Sequence, residues 1–147
     1  MSGSSFALHS TYSSKILRRW HATNTQLTAR SLVMPIFIRF APFLLICLSS
    51  ETPDQLELIP SLVDQYLIGR DRVCDYLRPL IDRDLTSVLI FGVICSSEKD
   101  AAGSLADSDS GVVIPVVKLL KKVFPQLTVI CDVCLCAYTD HGHCGML

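Results

Sequence analysis

Hydrophobic and polar positions along the chain fall into blocks of two different periods. Residues 32–38, 87–93 and 127–133 are short, nearly continuous apolar runs rich in β-branched side chains. Because apolar residues do not alternate with polar ones there, each run predicts a strand covered on both faces. Between the second and third runs, Val113, Val116, Val117, Leu120 and Phe124 recur at helical spacing, while Lys118, Lys121 and Lys122 fall mostly on the other side. That pattern predicts an amphipathic helix over residues 112–124, with Pro115 tolerated because it falls near the first turn. Val73, Leu77, Leu80, Ile81 and Leu85 mark another helix over about residues 71–84, with Pro79 as a kink or break. The order strand, helix, strand, helix, strand implies right-handed crossovers and a parallel sheet, the start of an α/β barrel or of a doubly wound fold. Three strands complete neither.

The connections differ in character. Residues 96–111, with Lys99, Asp100, Gly103, Ser104, Asp107 and Asp109, are small and polar and predict a surface loop at the carboxyl end of the sheet. Residues 39–70 are long for a strand-to-helix connection and open with the apolar stretch Phe40 to Leu48, unlike an ordinary loop. Joined to the first strand, that stretch makes an apolar run interrupted by Pro35, Arg39 and Pro42. A bilayer span needs about 20 uninterrupted apolar residues, so a membrane anchor is the weaker reading.

Composition narrows the class. The chain has 147 residues, half of them hydrophobic, and a formal charge of -1; its mean hydropathy of +0.41 argues against disorder over most of its length. No broad positive field exists for nucleic acid, and the lysine cluster reads as a solvated helix face. The first 20 residues are Ser-rich, then basic at Lys15, Arg18 and Arg19, without the apolar core of a secretory signal; a mitochondrial presequence shares some of that composition. The expected compartment is the cytosol.

Four of the seven cysteines, Cys131, Cys134, Cys136 and Cys144, crowd the end of the sequence, a clustering that suggests a metal site in a reducing compartment rather than disulfides. Cys134 and Cys136 alternate by two, so at a strand end both sulfurs would project to one side, and a turn through Gly142 could return Cys144 to them. Thiolates and imidazoles suit zinc, and three thiolates without an obligatory fourth protein ligand leave a position for water or substrate. The bland reading is a buried Cys-x-Cys pair, with His141 and His143 as ordinary loop residues. Cys131 falls on the other side of the strand register and reads as core; Cys47, Cys74 and Cys95 read as packing. Asp132, inside an otherwise apolar strand, must meet a cation or line a wet site.

The run Cys131-Asp132-Val133-Cys134-Leu135-Cys136, then Tyr138-Thr139 and His141-Gly142-His143-Cys144-Gly145, resembles the metal signature of zinc-dependent porphobilinogen synthases (5-aminolevulinate dehydratases). Further matches are Leu8-His9-Ser10, Leu17-Arg18-Arg19-Trp20, Met34-Pro35-Ile36-Phe37, Leu77-Arg78-Pro79-Leu80, Val88 to Val93, Lys99-Asp100, Gly103-Ser104 and Ala106-Asp107-Ser108. The resemblance covers nearly the whole chain apart from the first few residues and residues 39–48. Smaller departures are Ala137, where the family usually has Pro, and Asp140, where a small polar residue is common.

The resemblance implies an incomplete TIM (β/α)8 barrel: an amino-terminal arm over residues 1–31, then the first three parallel strands within residues 32–147, with residues 39–50 an atypical apolar insertion. That insertion has the composition of translated non-coding sequence or an aberrant splice product. The implied activity is the condensation of two 5-aminolevulinates to porphobilinogen in haem and tetrapyrrole synthesis. Cys134, Cys136 and Cys144 would hold Zn2+, Asp132 would position the second substrate or move a proton, and His143 would join a second, weaker metal site. The family's Schiff-base lysines lie beyond Leu147, and none of Lys15, Lys99, Lys118, Lys121 or Lys122 matches them, so the chain alone is expected to be inactive. Family members assemble as octamers through the arm. The alternative is a non-catalytic zinc-binding isoform that associates with full-length subunits.

Overall fold

The computed structural model describes residues 13–22, 26–39 and 56–145, so the apolar segment at residues 40–50 and the motif at Leu8-His9-Ser10 lie outside the described residues. In chain order the elements are helix α1 (Lys15–Trp20), strands β1 (Met34–Arg39), β2 (Glu57–Leu58) and β3 (Tyr66–Gly69), helix α2 (Val73–Ile81), strand β4 (Ser87–Val93), helix α3 (Val113–Val123) and strand β5 (Thr128–Cys131). The sheet order is β2-β3-β1-β4-β5. Strands β3, β1, β4 and β5 run parallel, and β2 closes one edge antiparallel to β3.

Both helices cover one face. Ile36 and Ile38 of β1 and Val88 and Ile90 of β4 are buried in one cluster with Val73 and Leu77 of α2 and Val116 and Leu120 of α3. A doubly wound fold would put helices on both faces; a barrel wall puts them on one. The opposite face carries Phe37 and Phe91, which stack with ring centroids 5.2 Å apart and are only half buried. The expectation of strands covered on both faces therefore holds for the helix side alone, because among the described residues no second layer lies over the Phe37 side.

The three expected strands form, but β5 stops at Cys131 rather than Val133. Its partner Ile90 is the last β4 residue in register, and β4 continues past it to Val93. Helix α2 starts later than expected, after a 3-10 turn at Arg70–Arg72, and carries Pro79 within its last turn instead of breaking there. Pro79 removes only one amide bond close to the helix end, where the ladder is about to stop in any case. Asp84, in the left-handed region with φ 72, ends the turn after α2, and its carboxylate takes Arg30 of the amino-terminal arm at 2.6 and 2.9 Å. No helix among the described residues is long and apolar enough to cross a membrane.

Strands β2 and β3 were not anticipated. They arise because Tyr66–Gly69 pairs with the carboxyl half of β1, Phe37 opposite Leu67 and Arg39 opposite Gly69, while the two residues of β2 fold back on it. An ion pair from Arg39 to Glu57 at 2.8 Å fastens this hairpin to the carboxyl rim of β1.

Candidate metal centre

The polypeptide leaves the sheet at the carboxyl end of β5, its last sheet-like bond running from the Asp132 amide to the Ile90 carbonyl at 3.4 Å. A tight turn follows, in which the Leu135 carbonyl accepts the amides of Tyr138 at 2.8 Å and Thr139 at 3.0 Å. Gly142, with φ 75, then reverses the chain in a region where a side chain would be strained. The result is that Cys134, Cys136 and Cys144 converge: Sγ to Sγ distances are 3.2 Å for 134 to 136, 3.1 Å for 134 to 144 and 2.9 Å for 136 to 144. Among the described residues this is the one group of three or more thiols, imidazoles and carboxylates close enough to share an ion.

The convergence was legible in sequence, but the reason given for it was not correct. Strand alternation cannot orient Cys134 and Cys136, because β5 has ended three residues before Cys134; the turn at Leu135 does it. Cys131 is exposed rather than core, since it sits at the free end of β5, and it lies outside the trio. His143 is also outside the trio. Its ring stacks on His141 at 6.0 Å, and its amide donates to Nδ1 of His141 at 3.3 Å, which leaves the His141 proton on Nε2, facing the Ala101 carbonyl at 3.3 Å. His141 is therefore a loop strut, and Thr139, 1% exposed, is another: its hydroxyl donates to the His143 carbonyl at 3.0 Å.

Mutual hydrogen bonding divides the thiols. Bonds from Cys136 and Cys134, with help from the Leu135 and Cys136 amides, hold Cys144 down at about 7, whereas the bonds that Cys136 shares with Cys144 and Cys134 push it up to about 12. Cys144 is thus the first thiolate, present above about pH 7 and lost as pH falls through that value. An ion with metal–sulfur bonds of about 2.3 Å in tetrahedral array needs sulfurs roughly 3.7 Å apart. The sulfurs must spread by about 0.5 to 0.8 Å, and an exposed turn can allow that. Three soft donors on one side of a solvent-facing turn fit zinc well.

Since Cys136 keeps its proton to about 12, binding at pH 8 must displace it, so metal uptake is expected to release at least one proton per chain, and more at pH 6 than at pH 8 as Cys144 also protonates. Calorimetry in buffers of different ionisation enthalpy measures this number; uptake with no proton release would contradict the assignment.

Beside the sulfurs lies a pocket of about 210 Å³ lined by Phe37, Phe91, Gly92, Asp132, Cys134 and Tyr138 among others. Ligand pockets usually start near 300 Å³, so these residues supply one part of a wall rather than a whole enclosure. Asp132 is exposed at this pocket, which resolves its expected burial problem by placing it in water. Burial, and then the negative charge of Asp132 and Cys131, raise the Tyr138 phenol, which stays a neutral donor at physiological pH. Lys118 is paired with Asp109 at 2.6 Å, and Lys121 bonds the Pro125 and Leu127 carbonyls at the far end of α3. Sequence reasoning gave no role to Gly92, Tyr138 or Thr139, although the Tyr-Thr pair inside a Cys-rich run was a signal, and its bland reading of His141 as a loop residue matches the contacts His141 makes.

Comparison with known proteins places these features in a family context. The family model for delta-aminolevulinic acid dehydratase matches residues 6–147. The chain is 46% identical over 140 residues to the delta-aminolevulinic acid dehydratase of Schizosaccharomyces pombe and 44% identical over 140 residues to that of Pongo abelii, covering 95% of this chain and 39% of each relative. It therefore spans about two fifths of the length of these curated relatives. Among solved structures it resembles delta-aminolevulinic acid dehydratase (porphobilinogen synthase) from Toxoplasma gondii in complex with the reaction product porphobilinogen. There the TM-score is 0.70 with 20% identity, over 89% of this chain and 34% of that one.

Proposed function

Because the chain belongs to the delta-aminolevulinic acid dehydratase family, we propose that it forms the metal-bearing part of a porphobilinogen synthase, which condenses two 5-aminolevulinates into porphobilinogen. The observation that carries this is the convergence of three sulfurs within 3.2 Å at the carboxyl mouth of a parallel sheet, beside a pocket. Cys134, Cys136 and Cys144 hold zinc in this reading. Bound there, zinc would supply Lewis-acid polarisation of a substrate carbonyl, since among the described residues no fourth thiol, imidazole or carboxylate joins the trio.

The remaining work falls to side chains of the pocket. Asp132, exposed at the pocket, positions the second substrate or moves a proton, and Tyr138 offers a phenolic proton from a buried ring. Phe37 and Phe91 keep one wall apolar, which strengthens polar contacts made against it. His143, on the exposed side of the loop, is available to a second, weaker metal. Residues 1–31 act as an arm and residues 32–147 as the first part of the barrel, working in the cytosol within an octamer of family subunits.

The test uses the 147-residue chain with zinc and 5-aminolevulinate. About one thiophilic metal ion per chain should be retained, no porphobilinogen should form from the chain alone, and porphobilinogen should form when the rest of a family subunit is supplied. Failure to retain any such metal would overturn the zinc assignment. Pyrrole formation by the chain alone would overturn the division of the site.

A further inference from the structure

The sulfur trio sits on a 12-residue turn, Cys134 to Gly145, most of it exposed, where sulfur–sulfur hydrogen bonds of 2.9 to 3.2 Å compete with water and add little to holding the turn in shape. Something other than the sulfurs must hold the turn closed. The sheet does not, because β5 ends at Cys131. The contact that does comes from the loop between β4 and α3.

Asp100 pairs with the middle of the metal turn from both sides of its own peptide. Its amide donates to the Tyr138 carbonyl at 3.3 Å, and its carbonyl accepts the Asp140 amide at 3.1 Å, an isolated parallel bridge centred on Thr139. Cys134 and Cys136 come just before this bridge and Cys144 just after it, so the bridge anchors the middle of the loop that carries the trio. The carboxylate of Asp100 in turn holds its own loop, accepting the Ala102 amide at 2.9 Å and the Ser104 amide at 3.1 Å through one oxygen. The next turn reaches across as well, with Nε2 of His141 donating to the Ala101 carbonyl at 3.3 Å. Gly103, at φ 66 and buried against Leu135, Tyr138 and Thr139, lets the same loop approach the metal turn closely.

We propose that Asp100 is a positioning residue for the three-sulfur centre: its carboxylate fixes residues 100–104 in the shape that lets the backbone clamp Tyr138 and Asp140, and thereby presets the sulfurs before any ion arrives. This rests on the reading of Cys134, Cys136 and Cys144 as metal ligands. Amides of Ser104, Ala102 and Gly103, together with the Ser104 hydroxyl, hold the carboxyl below its usual range, so the clamp is in its charged form at neutral pH. Groups that orient ligands without touching the ion commonly change metal affinity 10- to 100-fold when removed, and a change in that range is expected here.

The experiment compares the full chain with Asp100→Ala and Asp100→Asn by cobalt(II) titration, following the thiolate-to-cobalt charge-transfer band and the ligand-field bands. Asp100→Ala should bind cobalt about 10- to 100-fold more weakly while keeping the thiolate band, and Asp100→Asn, which retains an acceptor oxygen, should recover part of that loss. A metal-free readout runs alongside: capture of phenylarsine oxide, which needs neighbouring thiols, should fall in Asp100→Ala. Equal cobalt affinity and equal arsenical capture in parent and variants would overturn the proposal. If the parent captures the arsenical but holds no cobalt, the metal reading fails, and the clamp is then decided by the arsenical alone. If Asp100→Ala does not fold, Asp100→Asn decides, and an affinity indistinguishable from the parent overturns the clamp.

Discussion

Replacing Cys136 by serine is expected to lower the affinity of the chain for zinc or cobalt(II) by about a hundred- to ten-thousand-fold. Sites built on thiolates and imidazoles bind zinc with roughly 10–16 kcal/mol at neutral pH, so one of three sulfurs carries about 3–5 kcal/mol, and each 1.4 kcal/mol is a factor of ten. Serine is a harder donor and does not ionise near pH 7, so it cannot stand in for a thiolate. Each sulfur of the trio touches both others, Cys136 at 3.2 Å to Cys134 and 2.9 Å to Cys144, so its loss removes two of the three sulfur contacts. Cys131→Ser is the matching control: it adds the same chemical change nearby, on a sulfur outside the trio, and should leave affinity within about threefold, a difference of roughly 0.6 kcal/mol. Competition with a chromophoric chelator measures both. Near-parental affinity in Cys136→Ser would mean that the three sulfurs do not act on one ion.

Local pattern and global geometry were legible to different degrees in this sequence. Continuous β-branched runs and 3.6-residue periodicity located β1, β4, β5, α2 and α3 closely, because each element buries Ile, Val or Leu at positions its own period dictates. The hairpin of β2 and β3 escaped because Glu57–Leu58 and Tyr66–Gly69 are too short to show a period and are made strands by their partner β1. At the site, residue type announced the sulfurs: clustered cysteines have few other uses without disulfides. What holds them was not announced. Asp100 lies 34 residues before Cys134 in the chain, and its backbone bridge to Thr139 has no side-chain signature. Spacing also misled on mechanism, since Cys-x-Cys suggested strand alternation where the structure uses a turn.

Gly92→Ala is expected to destabilise the chain by about 2–3 kcal/mol, near the upper end for overpacking a filled site. A Cβ at Gly92 would overlap Tyr138 Oη, lie 2.8 Å from Val113 Cγ2, inside van der Waals contact, and sit tightly at 3.2 Å from Tyr138 Cζ. Tyr138 cannot simply retreat with its backbone: its amide bonds the Leu135 carbonyl at 2.8 Å, its carbonyl takes the Asp100 amide, and the residue is only 7% exposed. The open direction for the ring is the pocket, where Asp132 and Cys134 already form the wall. A displaced ring would therefore fill the space beside the sulfurs, and the same substitution should also perturb the cobalt spectrum of the loaded chain. The companion variant Tyr138→Phe removes the Oη clash but leaves the Val113 and ring-carbon contacts. Gly92→Ala with Tyr138→Phe should consequently recover only part of the loss, a coupling of about 0.5–3 kcal/mol in the double-mutant cycle. Urea midpoints of the four proteins provide the cycle. Strict additivity, or a cost for Gly92→Ala below about 0.5 kcal/mol, would show that Tyr138 is not locked against β4 and that the pocket wall yields more easily than its packing implies.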